Sequence, residues 1–333
     1  MDRQHNLDNL KFIAAFLVIC IHMNLSRYGV AIHAIARVAV PIFLMISGYF
    51  YPIMRQKCMQ WGYLKKIIWM MFWSSIFYFI VTLVYNTNAL PLCFNFIDCV
   101  KFIIINEYIP YTSEHLWYFS ALICTICLIN IEYRYIHYFY LLIPVLLICA
   151  YVISSITTNY LYYRNFLFTA LPYFLLGCYV RKYDEKLKCL CESKLSSVTN
   201  FVLLLIFEII LLCSELFLYK NIGLPICRDI YFITPLLVLT IFIGALYVFP
   251  NNEVKYISYI GSRYSAYIYI FHMFVKIILE IFLDKFVHVD FSKMYFFNVF
   301  MTFVFTIVFV YLFLKSKSVF LSSYLKIVNK LRS

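Results

Sequence analysis

The sequence predicts an all-α protein that crosses a membrane about ten times, with both termini in the cytoplasm. Of its 333 residues, 64% are apolar and only 13% are charged. A soluble domain is nearer half apolar and a quarter charged, and a disordered chain needs low hydrophobicity, so both classes are excluded. The apolar residues also form continuous runs, which favour helices, because the strands of a membrane barrel alternate apolar and polar side chains.

Ten apolar stretches are long enough to cross as helices, since about 20 residues span a hydrocarbon layer of ~30 Å. They lie near residues 9–26, 33–54, 62–85, 115–131, 136–156, 164–181, 198–219, 229–249, 264–283 and 294–315. The remaining residues suffice for short loops, so we expect one membrane domain over residues 1–333.

Two segments outside these stretches carry expectations of their own. The connector from Asn86 to Glu114 contains an apolar run at 96–105 that is too short to span, and it would lie in the interface or re-enter the membrane. Residues 318–333 mix apolar and basic side chains, which predicts a cytoplasmic amphipathic tail on the membrane surface.

The basic residues set the predicted orientation. With the N-terminus in the cytoplasm, 19 of the 28 lysines and arginines fall in inner segments and 7 in outer segments. This bias follows the positive-inside rule, so the net charge of +12 indicates topology. We expect the lipid bilayer as the environment and no nucleic acid partner. The twelve cysteines lack the spacing of a metal site, and no metal is expected.

The first span contains three ionisable residues on one side, Asp8, Lys11 and His22. Lys11 and His22 are eleven residues apart, which is about three helical turns and a rise of roughly 16 Å. Lys11 would lie at the cytoplasmic end and His22 beyond the middle of the membrane. Ionisable groups are costly in lipid, so His22 favours a functional role over a bond between helices. Lys11 could simply extend to the membrane surface.

The second span contains Arg37 and, further along, Pro41, Ser47 and Gly48. Because this span enters from outside, Arg37 would lie at a depth near that of His22. A guanidinium keeps its charge and must find acceptors there, which favours function. Pro41, Ser47 and Gly48 are equally consistent with close packing of helices.

The ninth span carries Tyr269 and His272, followed by Lys276 and Glu280. The last two could simply neutralise one another. Glu208 and Glu215 share one face of the seventh span and could serve proton movement or a buried bond.

His115 and Trp117 stand just before the fourth span, at the predicted outer face. A histidine beside a tryptophan at such a place is typical of an interfacial anchor.

Four stretches in order resemble the membrane acyltransferase-3 family. Asn6 to Lys11 followed by His22 resembles its opening motif of a basic residue, ten residues and histidine, and Arg37 to Phe50 resembles its second-helix motif ending in Phe-x-x-Ser-Gly. The segment 115–118 is similar to its Leu-Trp-aromatic element, and the segment 261–272 is similar to its late Ser…Tyr-x-x-His element. Arg164-Asn165 also fits. One departure is Lys11, where arginine is common, since lysine offers a point charge without a bidentate fork.

The resemblance implies about ten helices, acyl-CoA as co-substrate and sugars of surface polysaccharide, peptidoglycan or lipid-linked glycans as acceptors. The expected function is a membrane-bound acyltransferase of the cell envelope, in the plasma membrane of a bacterium. It would move an acyl group, in particular acetyl from acetyl-CoA, to a hydroxyl of a cell-surface or lipid-linked glycan.

Site roles follow from the resemblance and from the chemistry of the side chains. His22 would be the general base, Arg37 would stabilise the oxyanion or hold the acceptor, and His272 would be a second catalytic candidate. The residues expected on the acyl-CoA side are Asp8, Lys11 and Ser47. Those expected to bind the acceptor are His115, Trp117 and Tyr269. Direct transfer and a covalent acyl-histidine relay both remain open.

The alternative is a transporter or uptake module for a small polar substrate, such as an amino acid, built on the same membrane domain. Ionisable residues inside spans suit substrate coordination and proton coupling as well as catalysis. Against this alternative, the sequence has no pair of broken helices in two matching halves.

Overall fold

A computed structural model describes residues 4–23, 29–85, 101, 111–194, 198–249, 253–288, 290–294 and 296–332 of the chain. In these residues all regular structure is helical and no strand occurs. The predicted all-α class is therefore confirmed. Apart from residue 101, the apolar run at 96–105 lies outside the described residues.

The described residues form thirteen α-helices. They are α1 His5–His22, α2 Val30–Ala36, α3 Ala39–Gln56, α4 Gln60–Tyr85, α5 Trp117–Glu132, α6 Ile136–Ile156, α7 Leu171–Lys182, α8 Asp184–Lys194, α9 Val198–Asn221, α10 Thr234–Ile243, α11 Lys255–Arg263, α12 Ser265–Phe282 and α13 Phe296–Arg332. Tighter 3₁₀ turns at Tyr111–Leu116 and Tyr133–Tyr135 precede α5 and α6, and others lie at Tyr160–Tyr162 and Phe291–Met294. Wider π turns at Phe166–Ala170, Gly244–Val248 and Leu283–Val287 adjoin α7, α10 and α12.

Each predicted span coincides with one helix or with two consecutive ones. By length and composition, six helical segments of the described chain are apolar enough to cross a membrane. They are Val30–Gln56, Gln60–Val84, Glu114–Ile156, Val198–Asn221, Ser265–Val287 and Phe296–Val319. This agrees with a polytopic membrane protein, while ten crossings and two cytoplasmic termini stay predictions. Two short helices between predicted spans, α8 and α11, were not predicted.

The second predicted span is not one helix. It is divided into α2 and α3, and the break falls at Arg37 and Val38. The backbone N–H groups of these two residues still donate to the carbonyls of Ala34 and Ile35. Arg37 therefore lies at a junction between two helices.

Helices α3 and α7 bring their backbones into close contact. A Cβ added to Gly48 would overlap the carbonyl of Phe174, and one added to Gly177 would overlap the carbonyl of Met45. The Cys178 thiol donates a 3.2 Å hydrogen bond to the carbonyl of Gly48. The predicted close packing at Gly48 is thus confirmed, and only glycine fits at either position.

The last helix passes through the boundary that the sequence predicts near residue 315. Its backbone is helical from Phe296 to Arg332, so residues 318–332 extend the preceding helix and do not form a separate one. A position of this tail on the membrane surface stays a prediction.

Candidate functional site

Three histidines from distant parts of the chain meet inside the helix bundle. His22 ends α1, His115 lies in the 3₁₀ turn before α5, and His272 lies in α12. Their ring centroids are 5.1 Å apart for His22 and His272, 5.0 Å for His115 and His272, and 6.3 Å for His22 and His115. We call these three residues the histidine cluster. Sequence analysis assigns these histidines different roles, whereas the structure places them together.

Hydrogen bonds to carbonyls fix the tautomers of two of these rings. His272 Nδ1 lies 2.8 Å from the carbonyl oxygen of Tyr269, and His115 Nε2 lies 3.1 Å from that of Ile270. Carbonyls only accept, so each of these nitrogens carries a proton, and in the neutral ring the other nitrogen keeps a lone pair. Those nitrogens, His272 Nε2 and His115 Nδ1, are buried and have no partner among the described residues.

Side chains from other elements hold the cluster in place. The Tyr269 hydroxyl donates a hydrogen bond to the carbonyl of His115. The Tyr78 hydroxyl donates a 2.6 Å hydrogen bond to the carbonyl of Ile270. Lys276 Nζ donates 3.0 Å to the carbonyl of His22, and a cation there also favours the C-terminal end of α1. The predicted pairing of Lys276 with Glu280 is confirmed at 3.8 Å, and the bond to α1 is an additional contact.

The interpretation of His115 as an interfacial anchor is wrong. Its residue is only 3% exposed, and its ring packs against those of Tyr78 and His272 at centroid distances of 5.0 Å. The 3₁₀ turn carries the side chain inward, a geometry that the neighbouring tryptophan does not reveal.

Arg37 finds its acceptor in a residue that sequence reasoning missed. Arg37 Nη1 lies 2.6 Å from Asp229 Oδ1, and Arg164 Nη2 binds Asp229 Oδ2. The Tyr163 hydroxyl lies 3.4 Å from the same Oδ2 atom. We call Arg37, Arg164 and Asp229 the arginine cluster. One carboxylate is thus shared by two guanidinium groups.

Arg164 owes its position to the residue that follows it. Asn165 Oδ1 accepts from the N–H groups of Leu167 and Phe168 at 3.0 Å, which caps the π turn Phe166–Ala170. Its Nδ2 donates to the carbonyls of Leu161 and Tyr162. Arg164 is thus held at a capped turn, in agreement with the match of Arg164-Asn165 to the family pattern.

A cavity of about 280 Å³ joins His22 to the arginine cluster. Its other walls are mainly apolar and aromatic, and they include Trp117 and Tyr269. His115 and His272 do not line the cavity, but their rings pack near that of His22. Of the predicted site residues, the cavity therefore brings together His22, Arg37, Trp117 and Tyr269.

The residues predicted on the acyl-CoA side do not line this cavity. Lys11 Nζ bonds Asp8 Oδ1 at 2.9 Å and lies over the ring of Phe50. The Ser47 hydroxyl donates to the carbonyl of Phe43 at 2.9 Å and accepts from Tyr63 at 3.2 Å. Asp8 and Lys11 thus form a second polar region, separated from His22 by most of the length of α1.

The two glutamates of α9 accept hydrogen bonds from neighbouring hydroxyl and N–H groups. Glu208 Oε1 accepts from the Thr240 hydroxyl at 2.7 Å, and Glu215 Oε1 accepts from the Tyr219 hydroxyl at 2.6 Å and from the Phe232 N–H at 2.9 Å. Of the two predicted roles, these contacts favour buried bonds. In the described part of the chain, no group of three or more histidine, cysteine, aspartate or glutamate side chains could hold a metal ion.

The fold and site define a helical membrane protein in which a half-buried histidine faces a cavity. The family model described as an acyltransferase domain, Acyl_transf_3, matches residues 4–315. The chain therefore belongs to this acyltransferase family, as the resemblance implies. No curated protein gives a significant match to the chain, and no solved structure does.

Proposed function

We propose that the protein transfers an acyl group, in particular acetyl, from acyl-CoA to a hydroxyl of a cell-surface or lipid-linked glycan in a bacterial plasma membrane. Family membership supports acyltransferase chemistry in general. The observation that carries the proposal is that His22 and Arg37 line one cavity although they belong to different helices.

In the proposed reaction, the oxygen of the acceptor hydroxyl attacks the thioester carbonyl carbon. A neutral His22 takes the proton of that hydroxyl as the bond forms. The carbonyl oxygen becomes negatively charged, and the Arg37 guanidinium stabilises it. The intermediate then collapses, the carbon–sulfur bond breaks, and the protonated His22 returns the proton to the CoA thiolate.

The remaining predicted residues take supporting roles. Trp117 and Tyr269 line the cavity and would contact the acceptor sugar. His115 would affect sugar binding indirectly, because the Tyr269 hydroxyl donates a hydrogen bond to the His115 carbonyl. His272 is the second candidate for the base, because its Nε2 lone pair points away from its carbonyl partners and has no protein partner in the described chain.

The donor would approach from the region of Asp8, Lys11 and Ser47. Lys11 would attract the phosphates of CoA, and the extended arm of the cofactor would carry the thioester about 16 Å along α1 toward His22. This arrangement is supported by the charge of Lys11 near the N-terminal end of α1 and by the cavity at its C-terminal end.

A second candidate function is transport of a small zwitterionic substrate. The arginine cluster offers both signs of charge inside the cavity, which suits an amino acid. Transport would require no chemical change in the substrate and no acyl-CoA.

One experiment separates the two functions. Protein reconstituted in liposomes receives acetyl-CoA on the outside, with a panel of glycans, and CoA release, glycan acetylation and substrate uptake are recorded together. The proposal predicts glycan-dependent CoA release with one acetyl ester formed per CoA. Uptake of an amino acid with no CoA release would instead support transport.

A further inference from the structure

The cavity reaches the outer surface of the helix bundle on one side. Three of its lining residues are largely exposed: Ile148 of α6 is 56% exposed, Phe232 is 63% and Leu236 of α10 is 50%. Ile148 belongs to the apolar segment Glu114–Ile156, which is long enough to cross a membrane. Exposed apolar side chains of such a segment contact lipid, so this side of the cavity opens toward the hydrocarbon layer.

The inner end of the same cavity carries an excess of positive charge. Arg37 and Arg164 share the single carboxylate of Asp229, which leaves one net positive charge beside mainly apolar walls. Two guanidinium groups offer ten N–H donors, more than one carboxylate can accept, and Arg37 Nε is buried without a partner among the described residues. An uncompensated charge at such a place is costly, and an anionic ligand would offset that cost.

These two ends fit one kind of ligand. We infer that the cavity binds a membrane lipid with a phosphate head group, which enters sideways between α6 and the segment 230–236. The phosphate accepts from Arg37 and Arg164, because planar guanidinium groups match phosphate oxygens, and the hydrocarbon tail leaves past Ile148 and Leu236.

This inference deepens the proposed function and rests on it for its biological meaning. A lipid held in this way places its head group beside His22, which also lines the cavity. The acceptor hydroxyl would then belong to a lipid-linked molecule delivered within the membrane. Binding of the lipid itself does not depend on acyl transfer, so the two claims can fail separately.

The test measures lipid binding by full-length protein in detergent. Its thermal stability is recorded during titration with dioleoyl phosphatidic acid, with dioleoylglycerol, which has the same tails without charge, and with inorganic phosphate. A ligand that binds the folded protein raises Tm in a saturable way. We expect this rise with phosphatidic acid only. Equal effects of the two lipids would overturn the role of the head group, and an equal effect of inorganic phosphate would indicate a soluble anion.

Two pairs of variants locate the site. Arg164→Gln leaves Arg37 paired with Asp229 and should weaken phosphatidic acid binding by about tenfold or more, while Arg164→Lys should weaken it less. Leu236→Trp fills the lateral opening and should also weaken binding. Its matched control is Ile210→Trp, at an exposed position of α9 outside the cavity.

Binding of a phosphate lipid can be tested even if a variant folds poorly. The preference for phosphatidic acid over dioleoylglycerol is measured on the unmodified protein. Unchanged affinity in a folded Arg164→Gln variant would refute the arginine site. Equal effects of Leu236→Trp and Ile210→Trp would refute lateral entry. Lipid binding without any acyl transfer would leave this inference intact and would count against the proposed function alone.

Discussion

The two ends of α1 differ in how their ionisable residues are satisfied. Near the N-terminal end, Lys11 pairs with Asp8 three residues away, and the pair is partly accessible, with the Lys11 side chain 23% exposed. At the C-terminal end, His22 packs against His115 and His272, which come from distant parts of the chain. The charges of Lys11 and Asp8 neutralise one another within one helix. The histidines at the C-terminal end of α1 come together only through the tertiary fold. In the proposed mechanism the reaction is accordingly centred on His22, and Lys11 contributes to binding of the donor.

The largest effect is expected for His22→Ala. A general base contributes about 10²–10⁴-fold to rate, so glycan acetylation should fall by that factor. The protein should remain folded and still be stabilised by acyl-CoA, since Lys11 and Asp8 are untouched. The measurement is turnover with protein level and Tm in parallel. The matched control is His137→Ala, an exposed histidine of α6 that should keep wild-type turnover. Near-normal turnover in His22→Ala would move the base to His272.

Arg37→Lys should produce the next largest effect. Lysine keeps the charge but cannot reproduce the fork of donors that serves both Asp229 and a developing oxyanion. Removing one oxyanion donor typically costs about 10²–10³-fold in kcat. We expect a loss in that range with a smaller change in KM for the donor. An unchanged kcat would show that Arg37 only stabilises the fold through Asp229.

Lys276→Met should have a moderate effect, because Lys276 positions His22 without lining the cavity. The substitution removes the hydrogen bond from Lys276 to the His22 carbonyl, so the His22 ring can shift. A small displacement of a reacting group lowers the rate by about tenfold or more. The expected signature is a lower kcat with an unchanged donor KM, and partial recovery in Lys276→Arg. A drop in Tm with normal kcat would reduce Lys276 to a structural residue.

The smallest effect on turnover is expected for Lys11→Ala. A partly exposed ion pair contributes only about 0.2–1 kcal/mol to stability, so folding should change little. Acyl-CoA should stabilise this variant against heat less than it stabilises His22→Ala. Equal stabilisation of wild type and Lys11→Ala would remove Lys11 from the donor side and erase the predicted difference between the two ends of α1.

The same contrast explains how much could be predicted from the sequence. Helices and their approximate bounds could be predicted, because long apolar runs specify helices in lipid. The break at Arg37 and the inward 3₁₀ turn at His115 could not, since neither changes the apolar pattern. The continuous helix Phe296–Arg332 was likewise predicted as two parts, because the composition changes near residue 315 while the backbone does not.

The candidate site was predictable in part for a similar reason. His22 and Arg37 stand out because an ionisable group in an apolar run is costly. Asp229 is the first residue of the predicted span 229–249, where a charge at the end of a span is ordinary, and only the fold places it against Arg37. The residues that local spacing connects, Lys11 with Asp8 and Lys276 with Glu280, form the pairs expected of them.

The most direct test of the central claim asks which side chain the acyl carbon of the donor reaches. Chloroacetyl-CoA carries an alkylating carbon next to the thioester carbonyl, and an adjacent imidazole displaces its chloride. Among the described residues lining the cavity there is no cysteine to compete. After incubation of the reconstituted protein and digestion, mass spectrometry should find the label on His22, with protection by acetyl-CoA. Label on His272 or His137 in place of His22, or no protected label in the cavity, would contradict the account.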